Sequence, residues 1–182
     1  MKWDDIEGWF SAQDAQFVRQ ICNNIHNGIV VELGFFAGRC TAVMAPICQN
    51  NNNEYYTVDN CEGGSPRDPA TKSQQSRDMR QIFETNMKKL GLIDNIFVLQ
   101  RDSAESASLF DDGSVDFCFI DASHVAENVK RDMEAWWPKI KLGGTLGGHD
   151  YSWGSVMFVT DKFAQDNNLK LIVNGNCWKL TK

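Results

Sequence analysis

The stretch Ile29-Val30-Val31-Glu32-Leu33-Gly34-Phe35-Phe36-Ala37-Gly38 decides how this chain is read. An apolar run of strand length meets a tight glycine turn, and a helix opens behind it. A turn of this kind brings backbone N–H groups close to a ligand and aims a helix N-terminus at it. The glycines are spaced G-x-x-x-G and follow an acidic residue. A dinucleotide fingerprint needs a glycine two positions after the first, where the backbone approaches a pyrophosphate. Phe36 stands at that place. The turn therefore suits a nucleoside ligand without a pyrophosphate, with Glu32 placed to meet a cation or an amino group.

At 182 residues and 42% hydrophobic, the chain can bury a full core as one domain. Residues 1–27 read as a cap and helix joined to the body of that domain, residues 28–182. The net charge of −6 repels phosphate backbones and disfavours a nucleic-acid partner. No apolar run is long enough to cross a bilayer, and the start, Met1-Lys2-Trp3-Asp4-Asp5, is wrong for export, so no membrane role is expected. None of the six cysteines has zinc-ligand spacing, and Cys22, Cys48 and Cys118 sit in apolar settings as small core residues. Together these features point to a reducing, cytoplasmic setting.

Strand and helix signals alternate along the chain. Ser11 is the expected N-cap of a helix running through Phe17, Val18, Ile21 and Cys22. Strands are expected at Ile29–Leu33, Tyr55–Val58, Ile96–Leu99, Val115–Ile120 and Thr145–Gly148, the last entered through a Gly143-Gly144 turn. Helices are expected at about Arg39–Gln49, kinked or shortened by Pro46, from Met79 to a stop at Gly91, at Ala126–Trp137 and at about Val156–Asn167, with a short one near Ala104–Phe110. Leu169–Val173 and Asn176–Leu180 form a closing hairpin around Asn174-Gly175. Repeated β-α units imply a mostly parallel sheet with helices on both faces, and ligands bind such sheets at the carboxyl ends of the strands.

Those ends carry Glu32 and Gly34, then Asp59, Asp102, Asp121, and finally His149 and Asp150. Any one aspartate alone is a turn or cap residue. Gathered on one edge they read as a site. Asp59 is placed to accept hydrogen bonds from two ribose hydroxyls, and Asp102-Ser103 to meet an adenine amino group.

The pattern Val31-Glu32-Leu33-Gly34-x-x-x-Gly38, followed by Asp59, Asp102 and Asp121, resembles the ordered motifs of class I S-adenosylmethionine-dependent methyltransferases, over nearly the whole chain from Glu7 onward. Glu7-Gly8-Trp9, Phe119-Ile120-Asp121-Ala122-Ser123-His124 and Gly143-Gly144-x-x-x-Gly147-Gly148-His149-Asp150-Tyr151 are similar to the small-molecule O-methyltransferase branch with macrocin-type and cephalosporin-hydroxylase-type proteins. The resemblance implies a single Rossmann-like α/β domain with a seven-stranded sheet and a reversed last strand. It also implies S-adenosyl-L-methionine as cofactor, with contacts from Glu32, Gly34, Gly38, Asp59, Asp102 and Asp121. Phe35, Asn60 and Ser103, beside those positions, join the expected set.

Methyl transfer is an in-line displacement from a sulfonium, so positioning supplies much of the rate. A carboxylate-rich pocket favours the cationic donor over its neutral product. The acceptor hydroxyl must lose a proton. His124 is the candidate base, with Asp121 three residues upstream as its catalytic partner, although a helix-start cap also explains His124. A divalent cation on Asp121 and Asp150 is the other device. In the branch an acidic residue precedes the second metal aspartate, whereas here His149 does. An imidazole suits a transition metal better than magnesium, so His149 is either a ligand or a residue bonded behind the site.

Trp136 and Trp137, with Met133 and Val129, fit a helix packing stripe. Trp3, Trp9 and Phe10 cover the sheet edge, roof the pocket or form a subunit contact, which leaves a homo-oligomer open. Cys61 lacks a positive neighbour that would make it a nucleophile. Gly63-Gly64-Ser65-Pro66-Arg67-Asp68-Pro69 is the expected substrate lid, with Arg67, Lys72 and Arg77 able to meet an acidic substrate. Three functions fit: O-methylation of a small hydroxylated acceptor such as a sugar or secondary metabolite, a dinucleotide-dependent oxidoreductase, and a non-catalytic S-adenosylmethionine-binding module.

Overall fold

Ile29–Leu33 forms β1, and its residues from Val30 on are buried on both faces of the sheet. In this computed structural model the described residues are 1–63 and 77–182. The other strands are β2 (Glu54–Val58), β3 (Phe97–Leu99), β4 (Val115–Ile120), β5 (Ile140–Gly148), β6 (Ile172–Asn174) and β7 (Cys177–Thr181). They form one seven-stranded sheet in the order β3-β2-β1-β4-β5-β7-β6. β1 to β5 run parallel, and β7 is antiparallel to both neighbours.

Alternation along the central strands divides the core in two. Val30, Tyr55, Phe117 and Phe119 face α1 (Ala12–Cys22), α2 (Thr41–Asn50) and α3 (Met79–Lys89). Val31, Leu33, Cys118 and Ile120 face α4 (Ala126–Trp136) and α5 (Gly154–Asp166). Burial on both faces is why these strands read as nearly unbroken apolar runs. Trp136 and Met133 lie fully inside the second core, as the packing stripe predicts.

The caps follow local chemistry. Ser11 accepts from the Asp14 N–H at 3.2 Å, and Asp14 Oδ2 accepts from the Ser11 N–H at 2.8 Å, so both ends of a capping box are closed. Gly91, at φ +69°, ends α3. Pro46 does not break α2, which continues to Asn50. The face of α2 that carries Ala42, Val43, Met44, Ala45 and Cys48 is buried, and that packing outweighs one missing backbone hydrogen bond.

Two expectations are corrected. Gly143-Gly144 is not a turn ahead of β5 but lies inside it, since the strand begins at Ile140. A register shift against β4 and hydrogen bonds between Gly143, Gly144 and Lys182 absorb the glycines as an irregularity in a paired strand. The closing hairpin turns on Gly175-Asn176, and its first strand is only Ile172–Asn174. The short helix expected near Ala104–Phe110 is present as a 3-10 helix, Glu105–Leu109. The expected lid from Gly64 to Pro69, with Lys72, lies outside the described residues. Among the described residues no helix is long and apolar enough to cross a membrane, and the six cysteines are unpaired.

Candidate active site

The strand order reverses between β1 and its neighbours β2 and β4, which opens a crevice beyond the carboxyl ends. A cavity of about 990 Å³ occupies it, large enough for a nucleoside-sized ligand with a second small molecule. Gly34 and Phe35 line it after β1, Asp59 and Asn60 after β2, and Asp102 and Ser103 beyond β3. Asp121 and His124 line it after β4, and His149 and Asp150 at the end of β5. The fold thus gathers nearly all the expected side chains on one rim.

Glu32 and Gly38 do not line the cavity, and a direct ligand contact from Glu32 is corrected. Its side chain points into the first core, where Oε2 accepts from Thr41 Oγ1 (2.5 Å), Tyr55 OH (2.7 Å) and Thr57 Oγ1 (3.0 Å). Oε1 is buried without a hydrogen-bond partner among the described residues. Burial pushes the carboxyl up to about 7, although the hydroxyl bonds pull the other way. Gly38 is favoured by its backbone, since at φ +91° a side chain would be strained, and an added Cβ would also meet the tip of Met87 at 2.6 Å. Gly34 is required by a close approach: at φ +88° its added Cβ would collide with the backbone of Asp121.

Asp59 lines the cavity but is already engaged. Oδ2 accepts from the N–H groups of Phe35 (3.0 Å) and Phe36 (3.2 Å), and Oδ1 from that of Cys61 (2.8 Å). It ties the β1 turn to the β2 turn, which leaves little acceptor capacity for two ribose hydroxyls. Phe36 is held at φ 44°, the left-handed conformation that a glycine would take more easily. Burial, then the Asp59 charge, pushes the Cys61 thiol up to about 12, in agreement with a non-nucleophilic role.

At the β4–β5 side the groups form a chain. His124 Nε2 lies 2.7 Å from Asp150 Oδ2, and the His124 ring stacks on Trp153 with centroids 4.5 Å apart. His149 Nδ1 lies 3.3 Å from Asp150 Oδ1 and 3.6 Å from Asp121 Oδ1, while its Nε2 lies 3.3 Å from Asp14 Oδ2. Burial opposes charge on His149, but the surrounding carboxylates override it and push the imidazole up to about 11. Burial likewise pushes Asp121 up to about 6, with His149 pulling it back. Asp150 is held well below the usual carboxylate range, because bonds from His124 and His149 outweigh burial. Its φ of 59° is a strained value that aims the carboxylate between the two histidines. Asp121, His149 and Asp150 each offer one donor atom, all within 4.8 Å of one another, a set that suits a divalent cation once the cation displaces the proton on His149 Nδ1.

Sequence reasoning missed four residues here. Asp14 was legible as a cap but not as the buried partner of His149. Asn176 donates to Asp150 Oδ1 at 3.2 Å from the hairpin turn. Arg39 clamps the N-terminal segment by donating to the carbonyls of Ile6 (2.8 Å) and Phe10 (2.9 Å). Asp132, on α4, accepts from Ser103 Oγ at 2.6 Å. The clamp makes Gly8, Trp9 and Phe10 a roof of the cavity, with Trp9 over Phe36 and Phe10 against His149. Arg77, expected as a substrate contact, pairs with Glu7 of that segment at 2.8 Å.

Residues 31–151 match a family model described as a methyltransferase domain. The chain belongs to that family. Its sheet order and reversed β7 are those of the class I methyltransferase fold, as the resemblance implies. Among solved structures, the O-methyltransferase NovP superposes with a TM-score of 0.78 at 14% identity, over 93% of this chain and 79% of that one. A SAM-dependent O-methyltransferase from Thermotoga maritima gives 0.68 at 16%, over 97% and 66%. A precorrin 8W decarboxylase from Methanobacterium thermoautotrophicum gives 0.66 at 16%, over 99% and 94%. The methyltransferase fold is thus shared with a protein named for another reaction, and the chemistry must be argued from the site.

Proposed function

We propose that this methyltransferase-family protein transfers a methyl group from S-adenosylmethionine to the oxygen of a small hydroxylated acceptor, a sugar or secondary metabolite. The observation that supports this most directly is the His124–Asp150 pair, 2.7 Å apart on the cavity wall beside Asp121. S-adenosylmethionine supplies an electrophilic methyl on a sulfonium. The carboxylates of Asp121 and Asp150 favour that cation over a neutral product. Asp150 accepts from His124 Nε2–H, fixes the ring tautomer and stabilises the imidazolium that forms. His124 takes the hydroxyl proton as the acceptor oxygen bonds to the methyl carbon and the carbon–sulfur bond breaks. Phe36 and Trp9 offer aromatic walls for the acceptor beneath the Arg39-held roof.

The donor set also fits a divalent cation. Asp121, His149 and Asp150 would hold it, Asp14 would orient His149 from behind, and the cation would lower the pKa of a bound hydroxyl. The imidazole favours a first-row transition metal over magnesium.

The test is incubation with methyl-labelled S-adenosylmethionine and a panel of sugars and phenols, with the product identified by mass. Against the acceptor found, His124→Ala should slow turnover by about a hundredfold or more and leave S-adenosylhomocysteine affinity unchanged. A full-speed variant removes His124 from the mechanism. Loss of activity on chelation, restored by manganese or cobalt, supports the metal, and indifference to a chelator argues against it.

A further inference from the structure

Asp132 has no part in the chemistry above, yet it is the most conspicuous unsatisfied group on the cavity wall. It is 2% exposed and lines the cavity beside Asp102, Ser103 and Arg131. Ser103 Oγ donates to its Oδ1 at 2.6 Å. Its Oδ2 is buried and meets no hydrogen-bond donor among the described residues. Buried carboxylate oxygens are nearly always hydrogen-bonded, so one left bare on a residue that lines a ligand cavity suits a donor carried by the ligand.

Asp102, which the sequence marks for a ligand amine, is differently engaged. Its Oδ1 accepts from Arg131 Nη2 at 2.5 Å and from the Glu105 N–H at 3.0 Å, so its charge is already answered. Among the described residues Asp132 accepts a hydrogen bond only from the neutral Ser103 hydroxyl, with the Arg131 charge acting on it without a bond. The order of strands supplies a direction. His124, Asp121 and Asp150 follow β4 and β5, so the reacting sulfur of the donor belongs there. Ser103 follows β3, at the opposite side of the rim, and α4 reaches across to it through Trp136 Nε1, which donates to the Ser103 carbonyl at 2.9 Å. A nucleoside laid along the rim with its sulfur at Asp121 brings its base to Ser103 and Asp132.

We propose that Asp132 reads the base of the donor, accepting the exocyclic amino group of adenine on its unpartnered oxygen. The inference rests on S-adenosylmethionine as donor. Asp χ2 is a soft torsion, so rotation about it can turn the unpartnered oxygen toward the cavity while the Ser103 hydroxyl follows. Hypoxanthine carries a carbonyl where adenine carries the amine, and it would set a lone pair against the carboxylate.

Calorimetric titration of S-adenosylhomocysteine and S-inosylhomocysteine into the wild-type chain, Asp132→Asn and Asp102→Asn tests this. The wild type should prefer the adenosyl compound by about tenfold or more. Asp132→Asn should bind the two within about twofold, because a carboxamide turns to meet either base, and Asp102→Asn should keep the wild-type preference. Asp132→Ser, smaller and neutral, gives the same comparison if the Asn variant does not fold. An undiminished preference in a folded Asp132 variant overturns the assignment while S-adenosylhomocysteine binding still upholds the donor. Failure of the wild type to bind either compound overturns the donor reading and this inference with it.

Discussion

Phe36 shows how much one position can carry. Its left-handed φ of 44° costs about 1 kcal/mol for a side chain with a Cβ, and it persists because Asp59 takes its N–H and that of Phe35 together. The spacing G-x-x-x-G and the tight turn it makes were legible. The work of Asp59 was not, because a carboxylate at a strand end looks the same whether it waits for a ribose or braces a loop. Asp59→Ala should release the turn. The expected loss is about 1–3 kcal/mol in urea-unfolding stability, with a matching loss of S-adenosylhomocysteine affinity by calorimetry. An affinity loss with unchanged stability would return Asp59 to the ribose role.

At the scale of elements, β1 and β4 fall where the sequence places them, to the residue, because continuous apolar runs bounded by turn residues have one reading in a two-faced sheet. β5 does not, because its Gly-Gly pair is locally indistinguishable from a turn and only pairing with β4 and β7 makes it a strand. The N-terminal segment is the element whose role was least legible. It carries three candidate aromatics, and the choice among roof, edge cover and subunit contact falls to Arg39, 29 residues beyond Phe10 in sequence. Arg39→Ala should leave the sheet intact by circular dichroism. It should also raise protease cleavage within residues 4–10 and weaken S-adenosylhomocysteine binding severalfold as the roof loosens. Unchanged protease resistance would show that Glu7–Arg77 and packing hold the roof without it.

For the molecule as a whole, the buried Glu32 makes stability depend on pH. Its carboxyl titrates at about 7 when folded, against an ordinary 4.5. The unfolded chain therefore holds fewer protons between those values, and stability falls as pH rises through that window. The difference is about 3 kcal/mol at neutral pH. Asp132, also pushed up to about 6 by burial, adds in the same sense, whereas the depressed carboxyls Asp14 and Asp150 act only in acid. Urea midpoints should drop from pH 5 to pH 8, and Glu32→Gln should flatten that slope. An equal slope in the variant would place the effect elsewhere. By itself the sequence determined the α/β class, the strand ends that carry the site and the family, because hydrophobic period and turn chemistry are local properties written in adjacent residues. Only the tertiary structure decided which carboxylates face the cavity. It turned Glu32 inward, occupied Asp59 with backbone, brought Asp14 behind His149 and left one oxygen of Asp132 without a donor among the described residues, since each of those outcomes depends on partners distant in the chain.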